Sequence, residues 1–198
     1  MPSPFGHALG GVLTAWLADL VPGGRSPRPA DPAPSWFQRA GGGLTAACAV
    51  LAALPDIDLF FDHHRTVTHS VGAVSLVACA AAVITLIRGG PLARITLMCT
   101  AAYASHLLFD WLAVDNTTPR GVQMLWPFGH RFYVSGSNLF RQAERRSLFS
   151  GRDMRINALA VLQEMALLVP PLAGVWLIRV KALARFATEL SCRDHPPQ

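Results

Sequence analysis

Apolar residues recur along this chain in five runs, each closed by proline, glycine or charge. The first extends from about Phe5 to Val21 and stops at Pro22-Gly23-Gly24. The proline-rich stretch from Ser26 to Pro34 cannot continue it as a helix. The second is clearest from Leu44 to Leu54, reaches back to Trp36 if Arg39 snorkels, and is closed by Pro55. Val71 to Ile87 forms the third, 17 residues without a charge, ended by Gly89-Gly90-Pro91. The fourth runs from Leu92 to Ala113 and the fifth from Ala158 to Ile178, where Pro170-Pro171 predicts a kink or break. A long polar connection from Val114 to Asn157 separates these last two.

The apolar spacing is helical throughout, with neither alternating strands nor an internal repeat. The expected fold is an all-α bundle of about five apolar helices forming one domain over residues 1–198. Runs three and five are apolar on every face, which suits burial in a large protein or in lipid. A chain of 198 residues cannot surround several such helices with protein, so a membrane-embedded bundle is favoured over a soluble one. Only 15% of the residues are charged, against about 25% in ordinary soluble domains. Mean hydropathy of +0.34 points the same way.

The net charge of +5 comes almost wholly from arginine, Lys181 being the single lysine. These arginines are scattered through connections, without zinc-finger spacing, a helix-turn-helix pattern or an aromatic stripe, which argues against nucleic acid as a partner. Cys48, Cys79 and Cys99 lie in apolar runs, Cys192 lies in the tail and no C-x-x-C pair occurs, so they are expected to be small buried hydrophobes. The first run lacks a basic region before Arg25 and carries His7, unlike a cleaved signal. Basic residues divide almost evenly between the two sides of the expected bundle, which leaves its orientation open.

Ionisable residues within apolar helices are costly and mark candidate sites. His7 begins the first run, Asp56 and Asp58 follow the second, His69 precedes the third, His106 and Asp110 end the fourth, and Glu164 lies early in the fifth. In an up-and-down bundle these ends share one side. His106 and Asp110 are four apart and project from one helical face, and imidazole nitrogen with carboxylate oxygen suits a divalent metal. Of His63 and His64 only one is expected to face inward, and His64 joins the candidate ligands. Simpler roles remain open: Asp56 or Asp58 as a cap or turn residue, Glu164 paired with Arg152 or Arg155, and Arg65 paired with Asp62. His130, His195 and Asp62 read as surface residues.

The ordered set of an early helical histidine, L-P-D-I-D, H-R-x-x-T-H-S, S-H-L-L-F-D and G-V-Q-M-L-W-P-F resembles the YdjM-like proteins, an inner-membrane family read as metal-dependent hydrolases. The likeness runs from about Phe5 to Phe128. Thr66 departs from the glycine common there, which bears on the local turn and removes no ligand. The resemblance implies a multi-pass protein of the bacterial inner membrane. The order of ligand types is also similar, more distantly, to helical zinc-dependent phospholipases C. Carried over by motif, the metal ligands would be His7, Asp56 or Asp58, His69, His106, Asp110 and Glu164, holding one to three divalent ions, zinc foremost.

The expected chemistry is hydrolysis of a phosphoester, lipid-derived or otherwise amphiphilic, by a metal-activated water. Asp56 or Asp58 would bridge ions or act as base, and Arg65 would clamp a phosphate oxygen. Trp126, Pro127 and Phe128 would seat the rim at the lipid interface. The rival reading is a non-catalytic membrane protein with a structural or transported metal ion.

Overall fold

The computed structural model describes residues 1–21, 40–61, 65–144 and 150–194. Among the described residues there are five α-helices: α1 (Pro4–Asp19), α2 (Gly42–Ala53), α3 (Val71–Ile87), α4 (Leu92–Leu112) and α5 (Gly151–Asp194). Two short 3-10 segments, Leu54–Phe61 and Val67–His69, link α2 to α3. Among the described residues there is no strand, only two isolated bridges, Ala113 with Phe140 and Val122 with Tyr133.

Local sequence sets the helix ends. Ser3 caps α1, its hydroxyl accepting the Gly6 N–H at 3.1 Å, with Pro4 in the first turn where its missing N–H costs nothing. Ser70 caps α3 through the Ala73 N–H, and Gly89, at φ 65°, turns the chain away from its end. Ser150 accepts the Asp153 N–H and donates to its carboxylate, so α5 starts at Gly151, seven residues before its apolar run. Of the kink or break expected at Pro170-Pro171, the break does not occur: α5 continues through both. Membrane helices tolerate proline where neighbouring groups satisfy the freed carbonyls.

Helices α1 and α4 are central: α1 packs on α2, α4 and α5, and α4 packs also on α2 and α3. Glycine permits the approach. A Cβ on Gly10 would strike the Phe109 ring and one on Gly11 would strike Ala52, the small-residue packing usual where lipid supplies no hydrophobic drive. Ala15, Cys48, Met98, Cys99 and Ala102 form one core cluster, and Phe109, Ala113, Phe140 and Leu168 another. Large apolar side chains such as Leu76, Val83, Ile84 and Leu162 face outward.

Among the described residues, three stretches are long and apolar enough to cross a membrane: Gly42–Leu59, Leu92–Leu112 and Gly151–Val180; Val71–Ile87 is shorter. At the end of the bundle away from His7, Asp19 ties three helices together. Its carboxylate accepts from Arg94 of α4 and, at 2.9 Å, from Arg179 of α5, and Arg179 also lies over the Trp16 ring.

Candidate metal centre

The ends of the central helices bring histidines and carboxylates together out of water. His7 stands in the first turn of α1, with His106 and Asp110 in the last two turns of α4. Pro55 turns α2 into the 3-10 segment that carries Asp56 and Asp58, and the second 3-10 segment ends on His69. All six side chains are buried.

Their ligand atoms converge. The Nε2 atoms of His69 and His106 are 3.0 Å apart, and each lies 3.3 Å from Asp110 Oδ2. Asp110 Oδ1 is 3.3 Å from His7 Nε2, and Asp56 Oδ1 is 3.9 Å from His69 Nε2 and 3.8 Å from His106 Nε2. The His7 and His106 rings stack at 3.7 Å. Two groups of three could therefore hold a metal ion: His7, Asp56 and His106, and His69, His106 and Asp110. Ligands about 2.0–2.2 Å from a tetrahedral ion stand about 3.3–3.6 Å apart, within the spread of these distances.

The opposite ring nitrogens show which atoms are offered. His106 Nδ1 is 2.7 Å from the Ala52 carbonyl, which can only accept, so Nδ1 carries the hydrogen and Nε2 is the nitrogen turned toward His69 and Asp110. His69 Nδ1 is 3.1 Å from Asp58 Oδ2 and 2.9 Å from Thr68 Oγ1. Partners of this kind are what orient ligating histidines. Both carboxylate oxygens of Asp110 and both nitrogens of His7 lack a hydrogen-bond partner among the described residues. Such burial is expensive unless a charge compensates it. Burial opposes a charged His69, yet the carboxylates of Asp110, Asp56 and Asp58 beside it outweigh that and hold its pKa well above the usual imidazole value. The donor set, three imidazoles and two carboxylates converging out of water, fits a divalent cation.

Other candidates sit elsewhere than expected. Asp58 lies behind His69 and outside both groups, so its position is that of an orienting partner. Glu164 accepts the Ser3 N–H at 2.6 Å and the Ser3 hydroxyl, beside Gly6, rather than meeting the cluster or Arg152 and Arg155. Arg65, expected to clamp a phosphate, makes structural contacts: Nη1 donates to Asp115 Oδ2 at 2.6 Å and Nε points to the Met1 sulfur at 3.0 Å. Asp115 also accepts the N–H groups of Gly121 and Thr117 and the Thr117 hydroxyl. Burial alone would raise its pKa; these donors, with Arg65, hold it below the ordinary value. The turn strain falls on Arg65, at φ 70°, rather than on Thr66. His64, with His63 and Asp62, lies outside the described residues, as does His195; His130 is exposed.

Sequence reasoning overlooked Ser3, Thr68 and Asp115. Ser3-Pro4 carries an N-cap signal that marks the first of them. Thr68 adjoins a candidate ligand, but its contact to Asp58 is visible only in the fold.

No curated protein and no solved structure matches the chain, so the likeness to helical zinc phospholipases rests on motif order alone. The family model described as YdjM inner membrane protein matches residues 1–184, which takes in every residue of the cluster. The protein belongs to the YdjM inner membrane protein family.

Proposed function

We propose that this membrane protein is a metal-dependent hydrolase that cleaves a phosphoester with a metal-activated water. The observation that carries the reading is the convergence of His69 and His106 Nε2 on Asp110 and Asp56, with the outer nitrogens fixed by Asp58 and Ala52. Three imidazoles and two carboxylates make zinc the ion this set suits best. Bound there, a divalent ion supplies Lewis acidity and lowers the pKa of water from 15.7 towards about 7.

The chain's own residues would divide the work. His69, His106 and Asp110 would hold the ion and leave its fourth position for water, His7 would stand against Asp110 Oδ1, and Asp58 would keep the His69 ring aligned. Asp56 Oδ1, farther from the two Nε2 atoms than Asp110 is, is the oxygen best placed to take a proton from water. A second reading, a structural or transported ion, is favoured by the complete burial of His7, His69 and His106, since closed sites serve structure and open positions serve catalysis.

Detergent-purified protein loaded with zinc should hydrolyse a chromogenic phosphodiester or phosphomonoester, lose that activity to a chelator and regain it with added metal. The His106→Ala variant should be inactive. Activity that survives removal of the metal would overturn the hydrolase mechanism, and a metal-loaded protein without turnover on phosphoesters, phospholipids included, would favour the second reading.

A further inference from the structure

The segment that carries the carboxylates is patterned opposite to a water-facing one. Asp56 and Asp58 are 6% and 7% exposed, whereas Ile57 and Leu59 between and after them are 49% and 40% exposed. Outward apolar residues around inward acids are what lipid contact selects.

The pattern continues beyond this segment. Val67 is exposed in the second 3-10 segment, and the connection after α4 presents Leu125 and Phe128, the latter 89% exposed. Backbone hydrogen bonds join these pieces: Gln123 N to Arg65 O at 3.0 Å, Val71 N to Met124 O at 2.8 Å, and Gly72 N to Trp126 O at 3.0 Å. The connection is thereby fastened to the first turn of α3, whose outward side chains are apolar from Leu76 onward.

Charge completes the pattern. Arg120, Arg131 and Arg141 are exposed on the same connection. Between residues 114 and 144 the acids are Asp115, whose carboxylate is 3% exposed and held by Arg65, and Glu144 at the far end. Among the described residues, exposed aromatic and aliphatic groups share these pieces with arginines and with no exposed carboxylate, which matches the boundary between acyl chains and anionic phosphates.

We propose that the metal-site end of the bundle is seated in the headgroup layer of an anionic phospholipid membrane. Ile57, Leu59, Val67, Leu125 and Phe128 form an apolar collar at the acyl boundary, and Arg120, Arg131 and Arg141 lie at the level of the phosphates. Combined with the hydrolase reading, on which this sentence alone rests, the collar makes a phosphate-bearing lipid the substrate class.

The test places a nitroxide at position 128 by Phe128→Cys, and a reference nitroxide on α3 by Leu76→Cys. The background carries Cys79→Ser and Cys192→Ser, with the buried Cys48 and Cys99 retained. Phe128 is so exposed that its replacement leaves the packing intact, and Leu125→Cys provides a second probe of the same collar. In vesicles of phosphatidylglycerol and phosphatidylcholine, power-saturation spectra should show oxygen reaching positions 128 and 125 more readily than a water-soluble nickel complex. Both should report a shallower depth than position 76. Nickel-dominated accessibility at 128 and 125 would place the collar in water and overturn the proposal. The readout requires neither metal nor turnover, so it stands or fails apart from the hydrolase reading.

Discussion

Replacing Asp58 by asparagine keeps the size of the side chain and removes its charge. In the protein, Asp58 Oδ2 lies 3.1 Å from His69 Nδ1, accepts the Arg65 N–H at 3.2 Å and accepts the Thr68 hydroxyl. Asparagine retains an oxygen acceptor, so the turn from Arg65 to Thr68 should persist and the variant should fold. What disappears is the negative charge behind the imidazole, which favours the Nδ1–H tautomer and strengthens Nε2 as a donor. Partners of this kind are worth about 10–100-fold in metal affinity, or about 1.4–2.8 kcal/mol. Zinc affinity is measured by competition with a chromophoric chelator on detergent-purified protein at fixed pH. Asp58→Asn should weaken binding within that range, and Asp110→Ala, which removes a group facing all three imidazoles, should weaken it further. Unchanged affinity in Asp58→Asn would refute the orienting role, and a loss as large as that of Asp110→Ala would place Asp58 among the ligands.

Three further outcomes are expected. Asp19→Asn removes the carboxylate shared by Arg94 and Arg179, the latter 3% exposed, and should destabilise the protein by about 3–5 kcal/mol, read as a lower Tm in detergent; an unchanged Tm would show that this end does not depend on the ion network. Asp115 is held below its ordinary pKa, so its contribution to stability is present above the unfolded value of about 3.9 and fades as pH falls through the lower folded value. The Tm difference between wild type and Asp115→Asn should therefore be full at neutral pH and shrink below about pH 4; a constant difference would contradict it. Gly10→Leu should disrupt the contact of α1 with Phe109 and destabilise the protein through overpacking by about 1–3 kcal/mol or more, read as a lower Tm.

The helices were legible because their ends are written locally. Val71–Ile87 is bounded in the structure as the apolar run predicts, and α4 differs from its run by one residue. The start of α5 was missed because Gly151 to Asn157 is polar and its capping signal, Ser150 with Asp153, lies outside the apolar run. Pro170 and Pro171 mark a kink or break in sequence, and α5 runs through both without a break because a membrane bundle can satisfy the freed carbonyls. The gathering of His7, Asp56, His69, His106 and Asp110 followed from the alternation of helix directions. The division of labour between Asp56 and Asp58 did not: residues two apart on a 3-10 segment acquire different roles only when His69 arrives between its two nitrogens' partners. Glu164 on Ser3 and Arg65 on Asp115 join residues 161 and 50 apart in sequence, contacts that no local pattern encodes.

Metal content per chain, measured by mass spectrometry on detergent-purified protein alongside His106→Ala, bears most directly on the buried centre, because His106 belongs to both ligand groups. The wild type should carry about one or two tightly held divalent ions, and the variant, folded by its circular dichroism, should carry none. A wild type that holds no ion after incubation with zinc, or a variant that holds as much as the wild type, would contradict the metal centre.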